Sequence, residues 1–224
     1  MGADKKLKLQ NVIKLHREID MLDRELSACR VLPVVTATDV ASTVELARAL
    51  ERGGMKAIEI TLRTPAALEA IAEVQRQVPG LLVAAGTVNT PADLNQVVAA
   101  GVKLALSPGG TPQLLAAAAE AELEFVPGVA TASDIMQAQA HGFGIVKLFP
   151  AATLGGESML KALGGPFPDV QFCPTGGLNP GNFRSYLALP NVICCGGSWM
   201  VSADLVNNGR WEEIETLARE AMTE

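Results

Sequence analysis

Histidine, aromatic side chains, metal-type cysteine spacings and long apolar runs are all scarce in this 224-residue chain, and each scarcity narrows what it does. The two histidines, His16 and His141, are too few and too isolated for a histidine-rich metal site. The four cysteines (Cys29, Cys173, Cys194, Cys195) contain no CxxC pair, and two are adjacent, which disfavours a long-range disulfide framework. They read as small buried thiols in a reducing compartment. No apolar run approaches the ~18 residues of a membrane span, and the N-terminus lacks a signal-peptide core, so a cytoplasmic protein is expected. The net charge of -6 supplies no basic field for nucleic acid, which leaves a small molecule as the expected partner.

What is present is rhythm. Eight short apolar runs, seven of them ending in Gly, Pro, Ser or Thr, lie at 31–36, 57–62, 81–87, 104–108, 125–128, 145–150, 170–177 and 192–198. Helical patterns fill the gaps at 40–51, 65–76, 91–100, 112–121 and 133–140, with a last one at 203–224. Thr90-Pro91 and Thr111-Pro112 have the form of an N-cap followed by a first-turn proline. Strands alternating with helices imply parallel βαβ units, and eight of them are the number that closes a (β/α)8 TIM barrel. An open doubly wound sheet is disfavoured because no GxGxxG turn follows the first strand. Residues 31–224 are therefore expected to form the barrel domain, and 1–30 an additional N-terminal helical segment that closes the barrel or is appended to it.

Strands buried on both faces should be almost wholly apolar, so their exceptions carry information. In the second run Glu59, Thr61 and Arg63 alternate with Ile58, Ile60 and Leu62, and the period of two sends the polar set into the barrel together. In the sixth run Lys147 points the same way, with Phe149 above it. Desolvation disfavours an ammonium group, and the neutral amine so favoured attacks carbonyls. Lys147 thus reads as a Schiff-base nucleophile and Glu59 as a general acid/base, against the alternative of a buried ion pair with a purely structural role. Arg63 offers a two-pronged grip on a carboxylate. Thr175-Gly176-Gly177 and Gly196-Gly197-Ser198 give bare amides and hydroxyls where barrels commonly bind phosphate.

The segments EITLRT (59–64), GTV (86–88), SPG (107–109), PGVAT (127–131), KLFPA (147–151), FCPTGG (172–177) and GGSWM (196–200) together resemble the bacterial KDPG/KHG aldolase family. The resemblance implies a homotrimer that cleaves 2-dehydro-3-deoxy-6-phosphogluconate to pyruvate and glyceraldehyde 3-phosphate, with no metal and no cofactor. It implies Lys147 and Glu59 as the catalytic pair. Arg63 and Thr87 would hold the pyruvate carboxylate, Pro108 and Phe149 would line the pyruvyl pocket, and Thr175, Gly176, Gly177, Gly197 and Ser198 would receive the distal hydroxyl and phosphate. Two positions depart from the family pattern: Thr36 stands where some relatives carry a basic residue, and Ala152 where many have a carboxylate. The competing readings are 4-hydroxy-2-oxoglutarate cleavage, a phosphate-binding isomerase or synthase, and a barrel serving as a trimeric assembly scaffold.

Overall fold

In the computed structural model, which describes residues 26–223, parallel strands curl around an interior with helices packed outside them. The first four strands, β1 (Val31–Val35), β2 (Ala57–Thr61), β3 (Leu82–Gly86) and β4 (Leu104–Leu106), fall on the first four apolar runs. Between them lie α1 (Val40–Arg52), α2 (Ala67–Gln77) and α3 (Pro91–Ala99), followed by α4 (Pro112–Ala119). Helix starts follow the local chemistry. Asp39 caps α1 by accepting from the Ser42 amide at 2.8 Å, and Thr90 and Thr111 cap α3 and α4 ahead of their prolines, as the sequence predicts.

The second half is more broken than expected. The fifth run divides into β5 (Glu124–Val126) and β6 (Gly128–Val129) around Pro127, which has no N–H to give to a ladder. After α5 (Ala132–Ala140) come β7 (Ile145–Leu148), β8 (Gln171–Phe172) and β9 (Cys195–Gly197), the last two far shorter than their apolar runs. Bridges join Phe172 to Val192 and Thr175 to Gly196, so two residues on one side face three on the other and the register slips by one. The result is a six-stranded sheet, β5-β4-β3-β2-β1-β9, and a three-stranded sheet, β6-β7-β8, instead of one uninterrupted ring of eight strands.

Two helices have no counterpart in the sequence reading: α6 (Gly156–Gly164) and α7 (Phe183–Leu187). The former begins at Gly155 and Gly156, both with positive φ. The expected last helix is instead a 3-10 turn (Trp199–Val201), α8 (Ala203–Asn207) and α9 (Trp211–Met222). Of the N-terminal segment, Leu26 to Cys29 are helical, Arg30 forms a bend with φ 50, and residues 1–25 lie outside the described residues.

Strand alternation sorts the core in two. Val31, Ile58, Val83, Ala105, Phe125, Val146 and Phe172 pack outward against the helices. Leu32, Ala57, Ala84, Leu104, Leu106, Val126, Ile145, Cys173 and Cys194 face one another inside, with Leu26 and Cys29 joining them from beneath. Above this apolar floor, toward the C-terminal ends of the strands, the interior turns polar.

Candidate active site

The polar layer is built by residues one step further along the same inward faces. Glu59 follows Ala57 on β2, and Lys147 follows Ile145 on β7. Their side chains meet across the interior, with Lys147 Nζ donating to Glu59 Oε1 at 2.8 Å and to Oε2 at 3.1 Å. Glu59 is 1% exposed and Lys147 5%, so this ion pair is held out of bulk water. Phe149 leans over it, its ring centre 5.8 Å from the Lys147 nitrogen.

Space for the pair comes from a glycine. A Cβ on Gly86 would lie 2.1 Å from Glu59 Oε1, so β3 must be bare opposite the carboxylate. On the other flank Gly128 is the ladder partner of Lys147, and a Cβ there would collide with the Pro108 backbone at 2.2 Å. The buried Ser107 hydroxyl accepts from the Gly128 amide at 3.2 Å and ties the two strand ends together. Pro108 therefore sits one strand away from Lys147. Thr87, directly after Gly86, has φ 60, a left-handed conformation that costs a β-branched residue of order 1–3 kcal/mol and recurs at functional sites.

Over the pair opens a cavity of about 560 Å³ at the C-terminal end of the strands. Arg63, Phe149, Thr175, Gly176, Gly177, Gly197 and Ser198 all line it; Lys147, Glu59, Thr87 and Pro108 lie outside its lining. Arg63 is exposed, with no hydrogen bond or ion pair among the described residues, which leaves its guanidinium available to an incoming anion. Among the described residues it is also the one charged residue in the lining. The backbone N–H groups of Gly176, Gly177 and Ser198 donate to no protein acceptor among the described residues. They form, with the Ser198 hydroxyl, an uncharged cradle suited to phosphate.

Val34, Leu178 and Trp199, which the sequence reading did not single out, also line this cavity, as does Thr36, noted there only as a departure from the family pattern. The alternation in β1 was available as a signal for Val34 and Thr36; the wall made by Trp199 depends on the 3-10 turn, which no local pattern announced. Beneath the pair, Cys173 and Cys194 touch with sulfurs 3.3 Å apart, and all four cysteines are buried. The hydrogen bond from Cys194, aided by the nearby Lys147 charge, holds the Cys173 thiol below its ordinary range, while burial pushes Cys195 well up.

The chain as a whole is similar to known proteins. A family model described as KDPG and KHG aldolase matches residues 22–217. The 2-dehydro-3-deoxy-phosphogluconate aldolase of Pseudomonas aeruginosa is 44% identical over 214 residues, 96% of each chain. The KHG/KDPG aldolase of Escherichia coli K12 is 45% identical over 192 residues, 86% of this chain and 90% of the relative. Among solved structures, a KDPG aldolase from Legionella pneumophila, with pyruvate captured at low pH as a covalent carbinolamine intermediate, superposes with a TM-score of 0.86 at 44% identity. The match covers 88% of this chain and 96% of that one.

Proposed function

The chain belongs to the KDPG and KHG aldolase family, and we propose that it cleaves 2-dehydro-3-deoxy-6-phosphogluconate to pyruvate and glyceraldehyde 3-phosphate with Lys147 as the Schiff-base lysine. It is a class I aldolase, a carbon-carbon lyase. The observation that carries the residue assignment is the buried contact of Lys147 with Glu59 beneath a cavity whose one charged lining residue, among the described residues, is Arg63.

The steps follow from the geometry. Arg63 and Thr87 take the carboxylate of the 2-keto acid, and Pro108 and Phe149 enclose its carbonyl end. Glu59 receives a proton from Lys147, and the amine adds to the C2 carbonyl. Glu59 returns protons, through a bound water, so that the carbinolamine loses its hydroxyl as water and becomes a protonated imine. That cation draws in the electrons of the C3–C4 bond as Glu59 accepts the C4 hydroxyl proton, and the aldehyde half leaves. Protonation of the enamine at C3 and hydrolysis release pyruvate and restore the amine. Thr175, Gly176, Gly177, Gly197 and Ser198 hold the departing hydroxyl and phosphate end, using dipoles in place of formal charge.

A second activity, cleavage of 4-hydroxy-2-oxoglutarate, shares the pyruvyl half of this site; the double name of the E. coli relative favours it. We further read residues 31–224 as one catalytic domain whose two sheets are arcs of a single (β/α)8 barrel, following the N-terminal segment 1–30. The bridges from β8 to the β9 segment support that reading. The assembly is a homotrimer in the cytoplasm, a reading that rests on the family resemblance and is checked by light scattering and fractionation. No cofactor and no metal enter any step.

Incubation with pyruvate and sodium borohydride tests the assignment. One reduced pyruvate adduct on Lys147, lost in Lys147→Ala, is the expected result. A folded wild-type chain that stays unmodified overturns it and revives the phosphate-binding isomerase or scaffold reading.

A further inference from the structure

Thr36 ends the inward face of β1, one step above Val34, and Val34 is the ladder partner of Glu59. Continuing that register sets Thr36 beside Thr61, and their hydroxyl oxygens lie 3.3 Å apart. Either could donate in that contact taken alone. The surroundings decide it. The Thr61 hydroxyl has one hydrogen, and it is given to the Val35 carbonyl at 2.9 Å. Thr36 is therefore the donor to Thr61, and the chain of hydroxyls runs in one direction from the cavity wall into the backbone. What Thr36 turns toward the cavity it lines is an oxygen with free lone pairs and no hydrogen.

Such a group welcomes a hydrogen-bond donor and faces an anion poorly, since phosphate and carboxylate oxygens only accept. We propose that Thr36 is a specificity-determining residue of the proposed aldolase reaction: it accepts a hydrogen bond from the hydroxyl on the aldehyde-half carbon next to the cleaved bond. This rests on the function proposed above. Side chains two residues apart on one strand face are separated by roughly 6.6 Å, so Thr36 stands one layer above Glu59. With C4 and its hydroxyl in the Glu59 layer, the next carbon rises toward Thr36. In the phosphorylated sugar acid that carbon bears a hydroxyl. In 4-hydroxy-2-oxoglutarate it is a carboxylate, which would set acceptor against acceptor. Thr36 thus favours the polyol substrate, a preference that a basic residue there would reverse.

The test measures condensation of pyruvate with glyceraldehyde 3-phosphate and with 3-oxopropyl phosphate, the same aldehyde without its 2-hydroxyl. For Thr36→Val, which keeps the shape, the ratio of the two kcat/KM values falls about three- to tenfold, the worth of one neutral hydrogen bond. Thr36→Ser restores the ratio. An unchanged ratio in Thr36→Val, with borohydride still trapping pyruvate on Lys147, overturns the role of Thr36 while leaving the aldolase reading intact. If the wild-type chain itself traps no pyruvate, the aldolase reading fails and takes this inference with it. Should Thr36→Val fail to fold, Thr36→Ala reads the same ratio with the same consequences.

Discussion

The lower and upper halves of the interior are made by the same strands with the same alternation, yet they hold opposite chemistry. At the lower level β2, β4 and β7 contribute Ala57, Leu104 and Ile145 to a dry cluster. One step up, β2 and β7 contribute Glu59 and Lys147, joined at 2.8 Å. The lower half gains stability from apolar area removed from water, at roughly 25 cal/mol per Å². The upper half gains little, because desolvating two charges offsets most of their mutual attraction. A polar layer retained at that cost is best explained by catalysis, and five substitutions sharpen or break the contrast.

The largest effect is kinetic and confined to the upper half. Glu59→Gln cannot cycle protons and lowers kcat by roughly 10²- to 10⁴-fold, while borohydride still captures pyruvate on Lys147 over long incubation. Full retention of kcat would remove Glu59 from the mechanism. Next, Lys147→Met alone strands a buried carboxylate and costs about 3–5 kcal/mol in urea unfolding. Adding Glu59→Leu to it recovers that loss and takes stability to the wild-type value or above. If the double variant were as unstable as the single one, the ion pair would be structural and the two halves alike.

In the lower half, Leu104→Ala opens a cavity and costs about 2–5 kcal/mol, seen as a shift of the denaturation midpoint, with kcat per folded chain unchanged. A fall in kcat would show that the floor also sets the geometry of the site. The smallest effect lies outside both halves. Asp39→Ala removes the α1 cap and costs ~1 kcal/mol at neutral pH. The backbone hydrogen bond from Ser42 lowers the Asp39 pKa below its usual 3.8. The folded carboxyl thus binds its proton less readily than the unfolded one. Its stabilisation is complete above 3.8 and fades as pH drops through the lower folded value, so the variant and wild-type curves converge in acid.

The contrast also explains what was legible in the sequence. Glu59 and Lys147 stood out because a charge inside an apolar strand breaks a strong local pattern, and period two fixes which way it points. Capping threonines were equally plain, since a cap is made within four residues. The interruption at Pro127 was written in the sequence but read as continuous, and the slipped register between β8 and β9 depends on chain segments about 20 residues apart. The last helix broke at Asn208 to Arg210, around Gly209, where local composition competes with a continuous apolar stripe. The site showed the same division. Residue types were readable, whereas the bare face of Gly86 against Glu59, the left-handed Thr87 and the direction of the Thr36 hydroxyl arise only when strands meet.

The buried ion pair has one more consequence. An ammonium that condenses with a ketone yields a protonated imine and one water, so the nitrogen carries the same positive charge before and after, and whenever it is neutral in between Glu59 holds the proton. Glu59 and Lys147 sum to zero before the reaction and again when the iminium stands beside the carboxylate. In the proposed mechanism the low-dielectric interior is never asked to hold net charge, and the substrate carboxylate would meet Arg63 at the exposed rim. Dissolved salt therefore reaches only the capture step: raising ionic strength screens Arg63 and weakens binding, while the turnover of bound substrate proceeds in a compartment the ions do not enter.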